Sequence, residues 1–169
     1  SVLLIYSGDL KYDLENLLTM QAFRYTLDLI YTETIREEEG ATYGVGTQGS
    51  VSAIPQNRGE MIIQFDTDPA RVEEMIKLAI QGVVDIANNG PTEEQMVKVR
   101  ENFLKNISES RISNSYWANN LRQYDLTGVD LDTEREAVIN SLTAEKVKQF
   151  VSDLIGQGNF VKIVMNPEE

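Results

Sequence analysis

Residues 35–46 read IREEEGATYGVG, so a cation at Arg36, three carboxylates at Glu37, Glu38 and Glu39, and a phenol at Tyr43 crowd one short junction. An apolar helical run precedes it and a glycine-punctuated strand follows. The three acids are a poor way to end a helix, because the C-terminal end carries partial negative charge and each carboxylate there costs a few tenths of a kcal/mol. Something other than helix stability sets this junction. On residue types alone, Arg36 reads as a helix-terminal cation paired with a nearby glutamate, and Tyr43 as an aromatic on the buried face of a strand.

The wider inventory of reactive groups is narrow. The 169 residues contain no histidine and no cysteine, which removes the commonest general base, the commonest zinc ligand, disulfides and thiolate chemistry together. Catalysis in this chain would rest on carboxylates, Lys, Tyr, Ser or Thr, and no matched pair of these stands in a recognised motif. There is no P-loop, no G-x-G-x-x-G after a strand, no G-x-S-x-G and no calcium loop. GTQGS at Gly46 to Ser50 is glycine-rich but runs into more strand. The net charge of −12 opposes polyanionic partners, so nucleic acid and anionic membrane surfaces are discounted. No apolar run approaches the ~20 residues needed to span a bilayer, and Ser1 opens no signal-peptide pattern.

The elements that must position the junction follow from periodicity. SVLLIYSG is a buried strand and turn; Tyr12 to Arg36 is a long helix on Met20, Phe23, Leu27, Ile30 and Tyr31. The period then changes to two, with Tyr43, Val45, Thr47, Val51 and Ala53 on one parity and the small or polar Gly44, Gly46, Gln48, Ser50 and Ser52 on the other. The polar parity either faces solvent or offers an edge to an extended peptide. PQNRG turns this strand into EMIIQFDT, an antiparallel hairpin. Asp68 and Pro69 start a helix that ends at Asn89 and Gly90, and Thr92 with Gln95 forms a capping box for the next. A further helix carries Trp117, Leu121 and Tyr124, read as core at helical spacing. A short helix from Glu134 to Leu142, a helix capped by Thr143 and the closing strand NFVKIVMN complete the order. Strands and helices are segregated, which predicts an α+β fold with helices packed on one face of a largely antiparallel sheet. The sequon at Asn106 lies inside a helix and is set aside. Residues 1–169 read as one folding unit, and the start at Ser1 without Met suggests a piece of something longer.

As a unit, TIREEEGATYGVG resembles the inverzincin zinc metallopeptidases of the pitrilysin and insulinase family, and more narrowly the last, non-catalytic homologous domain of such a protein. The PTEE before a helix at Pro91 to Glu94 and the closing strand ending in NP sit in the matching order. The resemblance implies the fold of the pitrilysin and mitochondrial processing peptidase-like domains. It implies no metal ligand and no catalytic residue in this chain alone, since H-x-x-E-H is absent. Zinc and that motif are expected in a homologous partner domain, on the same chain or a separate subunit, over which this half closes around a peptide substrate. By the same resemblance Arg36 would hydrogen-bond a substrate backbone carbonyl, Tyr43 would point its phenol toward the scissile carbonyl, and Gly40 and Gly44 would let the backbone approach a bound strand. A proteolytically inactive structural subunit of the family is the alternative implication. A periplasmic or other bacterial extracytoplasmic setting fits the resemblance, with a cytoplasmic one left open.

Overall fold

The computed structural model describes residues 1–34 and 44–165. Arg36, Gly40 and Tyr43 lie outside the described residues; Gly44 is within them. Four strands, β1 (Val2–Gly8), β2 (Val45–Ser52), β3 (Arg58–Phe65) and β4 (Asn159–Val164), form one sheet in the order β2-β3-β1-β4. Every neighbouring pair is antiparallel. The helices are α1 (Leu14–Tyr31), α2 (Val72–Asn89), α3 (Glu93–Ser110), α4 (Asn114–Thr127), α5 (Arg135–Ser141) and α6 (Ala144–Gly156). The expected α+β architecture is therefore present.

Register explains why the helices cover one face. Tyr6 lies opposite Met61, Leu4 opposite Ile63 and Val2 opposite Phe65, and all six are buried. Their neighbours in sequence, Leu3, Ile5, Ile62 and Gln64, point to the other face, where exposure is greater and no helix packs among the described residues. Phe23 and Leu27 of α1, Met75 and Ile86 of α2, and Met96 of α3 are buried in the same core. α1 packs on β2, and α6 on β1 and α2.

The caps expected at Asp68, Thr92 and Thr143 are formed, and Asp13 adds one not expected from the sequence. Asp13 accepts from the Asn16 amide at 2.8 Å, and Asp68 from Ala70 at 2.8 Å in a one-turn 3-10 segment, Pro69–Arg71, that leads into α2. Thr92 and Gln95 exchange both bonds of the capping box, at 3.2 and 2.8 Å. Thr143 accepts from the Lys146 amide. Each satisfies an amide that has no partner within its own helix.

The first helix is α-helical to Tyr31 and continues as a π turn over residues 32–34, with the Thr32 and Thr34 hydroxyls donating to the Asp28 and Ile30 carbonyls at 2.7 and 2.9 Å; its expected end at Arg36 lies outside the described residues. Such back-bonding and π turns loosen helical geometry, often beside functional positions. Trp117, Leu121 and Tyr124 are not core: they are 41, 69 and 57% exposed. The side of α4 that meets the domain is instead Tyr116, Asn120, Gln123 and Thr127. Tyr116 donates its hydroxyl to Asp132, and Gln123 accepts from the Tyr12 hydroxyl at 3.3 Å. Helical spacing identified an apolar stripe, but hydrogen bonding on the adjacent stripe decided which side turned inward.

Candidate functional site

The site is built around β2. This strand is an edge: among the described residues it pairs only with β3. Its sequence, VGTQGSVS, carries no charge and no proline. Unpaired edges are ordinarily guarded against strand addition by Lys, Pro or a bulge. The opposite edge, β4, does carry Lys162, whose Nζ lies 3.8 Å from a Glu73 oxygen.

Three concavities flank the edge. One of about 420 Å³ lies between α1 and β2 and is lined by Arg24, Asp28, Tyr31, Thr32 and residues Gly44 to Thr47. A second, about 410 Å³, lies on the other face of the sheet over Gly44, Gln48, Ile62 and Gln64. The third, about 340 Å³, is bounded by β2 at Thr47 to Gly49 and by α1, α3, α4 and α5. Thr47 borders all three.

Local packing holds β2 in place. The Thr47 hydroxyl donates to an Asp28 carboxylate oxygen, and the other Asp28 oxygen lies 3.8 Å from Arg24 Nη1. Beneath them, the Tyr31 hydroxyl donates to the Ala79 carbonyl at 2.7 Å. Burial, with smaller contributions from Tyr6 and the Asp28 charge, pushes the Tyr31 phenol well above its ordinary range, so it stays a neutral donor. A Cβ at Gly49 would lie 3.0 Å from Met20 Cγ and 3.1 Å from Met61 Cε. Only glycine lets β2 settle this closely on α1.

Of the residues singled out from sequence, the structure describes Gly44, which is exposed and lines the first two concavities. A Cβ there would meet nothing within 4 Å. The flanks of the junction come together: Thr32, from the end of α1, and Gly44, before β2, border the same concavity. Sequence reasoning missed Arg24, Asp28, Thr47 and Gln48. The i,i+4 spacing of Arg24 and Asp28 on the wet side of α1 was legible, but their meeting with Thr47 needed the α1–β2 contact. Among the described residues no group of three or more His, Cys, Asp or Glu is placed to hold a metal ion.

The sequence model of the peptidase M16 inactive domain matches residues 1–103. No curated protein matches the chain by sequence. Among solved structures, the chain is similar to the periplasmic protease PqqL from Escherichia coli, with 21% identity and a TM-score of 0.81 over 95% of this chain and 18% of that one. A protease from Helicobacter pylori matches at 12% identity and TM-score 0.81, over 98 and 41% of the two chains. A peptidase M16 inactive domain from Pseudomonas fluorescens matches at 18% and 0.75, over 98 and 42%. The chain thus spans well under half the length of each of these structures.

Proposed function

Because the chain belongs to the inactive-domain family of the M16 peptidases, we propose that it is the non-catalytic, substrate-binding domain of a zinc metalloendopeptidase. In this reading residues 1–169 form one unit of a larger assembly, and a homologous zinc-bearing domain, on the same polypeptide or a separate subunit, closes against it. The observation that carries the reading is the uncharged edge of β2, which among the described residues pairs only with β3 and is flanked by three concavities. Tyr43 is joined directly to Gly44, which borders two of them.

An extended peptide added to this edge gains main-chain hydrogen bonds that do not depend on its sequence. A zinc held by that homologous domain would supply an activated water and Lewis-acid polarisation of the scissile carbonyl. This chain's part is to hold the peptide. Arg36 donates to a substrate carbonyl, fixing the register of the bound strand. Tyr43 presents a phenol proton to the oxygen of the scissile carbonyl, where negative charge develops. Gly40 and Gly44 leave room for the peptide backbone.

The test is Tyr43→Phe in the assembled enzyme. Loss of one oxyanion donor lowers kcat about a hundredfold or more, with KM and thermal stability little changed. An unchanged kcat would leave a structural subunit in place of a substrate clamp. The isolated chain is expected neither to bind stoichiometric zinc nor to cut peptides; doing both would overturn the proposal.

A further inference from the structure

The third concavity differs in chemistry from the rest of this acidic protein. The chain carries 27 Asp and Glu against 15 Lys and Arg, yet the residues lining this cleft include two arginines, Arg24 and Arg135, and no carboxylate. Around them stand three side-chain amides, Gln21, Asn102 and Asn106. Asn106 Nδ2 donates to Asn102 Oδ1 at 2.9 Å, which leaves the Asn102 amide protons for another acceptor.

The charges behind the cleft are already engaged. Arg135 Nη1 donates to the Leu131 carbonyl at 3.0 Å, and its charge also reaches Asp132. Asp132, however, is held by Arg111 Nε at 3.0 Å and by the Tyr116 hydroxyl. Arg24 lies 3.8 Å from Asp28, which also accepts from Thr47, and its side chain is 41% exposed. Both guanidiniums therefore keep donors available for an incoming acceptor, and a guanidinium fork matches a carboxylate.

The position of the cleft supplies the register. Val45, Thr47, Gly49 and Val51 share the helix side of β2, and the cleft opens at Thr47 to Gly49. A strand added along β2 sends every second side chain to that same side. We propose that this cleft is a side-chain subsite for an Asp or Glu of an extended peptide bound along β2, with Arg135 and Arg24 as its counter-charges. The inference rests on the β2-edge reading and adds a charge preference to it.

The experiment is an NMR titration of the ¹⁵N-labelled chain with three end-capped, extended peptides that differ only in a central Glu, Gln or Lys. All three should shift the amides of Val45 to Ser52. The Glu peptide should bind about five- to tenfold tighter than the Gln peptide, the range for a partly exposed charge-assisted pair, and it alone should move the Asn102 and Asn106 side-chain amides. Arg135→Gln should erase the Glu preference and leave Gln-peptide affinity unchanged. Arg24→Gln, which leaves the Leu131 bond intact, should reduce the preference independently. Equal affinity for the three peptides, with β2 still responding, overturns the subsite and spares the edge reading. Absence of any β2 response at millimolar peptide overturns both.

Discussion

The ring of Tyr31 rests against the backbone of Gly82, so that a Cβ at position 82 would lie 2.8 Å from Tyr31 Cε1 and 3.5 Å from its hydroxyl oxygen. The same hydroxyl donates to Ala79, one turn earlier on α2. The last regular residue of α1 is thereby fixed to the helix behind it, immediately before the π turn and the junction that follows.

Gly82→Ala pits two effects against each other. Alanine improves helix propensity by about 1 kcal/mol, but the ring it displaces is buried and hydrogen-bonded, and overpacking of this kind costs about 1–3 kcal/mol. Net destabilisation is expected in urea unfolding. In a Tyr31→Leu background the clash disappears and Gly82→Ala should become neutral or stabilising. A stabilising Gly82→Ala with Tyr31 intact would mean the ring is not held there.

Gly44 and Gly49 should behave oppositely. Gly44→Ala adds a methyl to open space, so thermal stability should stay within about 0.5 kcal/mol while affinity for an extended peptide falls. Gly49→Ala drives a methyl against Met20 and Met61 and should cost about 1 kcal/mol, the low end for overpacking because methionine yields. Unfolding curves paired with the peptide titration separate the two.

The exposed stripe of α4 makes a third case. Leu121→Lys and Tyr124→Ser should each alter stability by less than about 0.5 kcal/mol, whereas Met61→Ala, at a fully buried position, should cost about 2–5 kcal/mol. A large loss at Leu121 would return α4's apolar stripe to the core.

Alkaline stability depends on the buried phenols. Burial pushes Tyr6 from 10.0 up to about 12, and its ring packs on Phe160 with centroids 4.7 Å apart. A raised folded-state value favours the neutral form, so this contribution is complete below pH 10 and is lost as pH rises through about 12. The loss amounts to about 2–3 kcal/mol across that window. Tyr6→Phe keeps the ring contact and removes the titration, so its urea midpoint should fall less steeply from pH 9 to 11. Parallel slopes for the two proteins would contradict the assignment.

At the acid end Asp130 is held near 2, below its ordinary 3.8, by hydrogen bonds from the Thr133 hydroxyl and the amides of Thr133 and Asp132. A depressed value gives stability that is present above pH 3.8 and is lost as pH falls through about 2. Asp130→Asn should therefore flatten the stability profile between those limits, measured by urea unfolding.

What the sequence determined by itself were the features governed by near neighbours. Caps at Asp68, Thr92 and Thr143 came from residues within three positions of one another, and the β2–β3 hairpin from alternation across one turn. The TIREEEGATYGVG run was enough to suggest the family, because its spacing is local. Only the tertiary structure decided that α4 turns Trp117 outward, since the choice between adjacent stripes depended on Tyr12 and Asp132, which lie far from α4's inward residues or on another element. Only it decided that β2 is an edge, because strand order is a long-range outcome that alternation cannot encode. The arginine-lined cleft belongs to the same class: its walls come from one strand and four helices, and no short stretch of sequence contains enough of them to announce it.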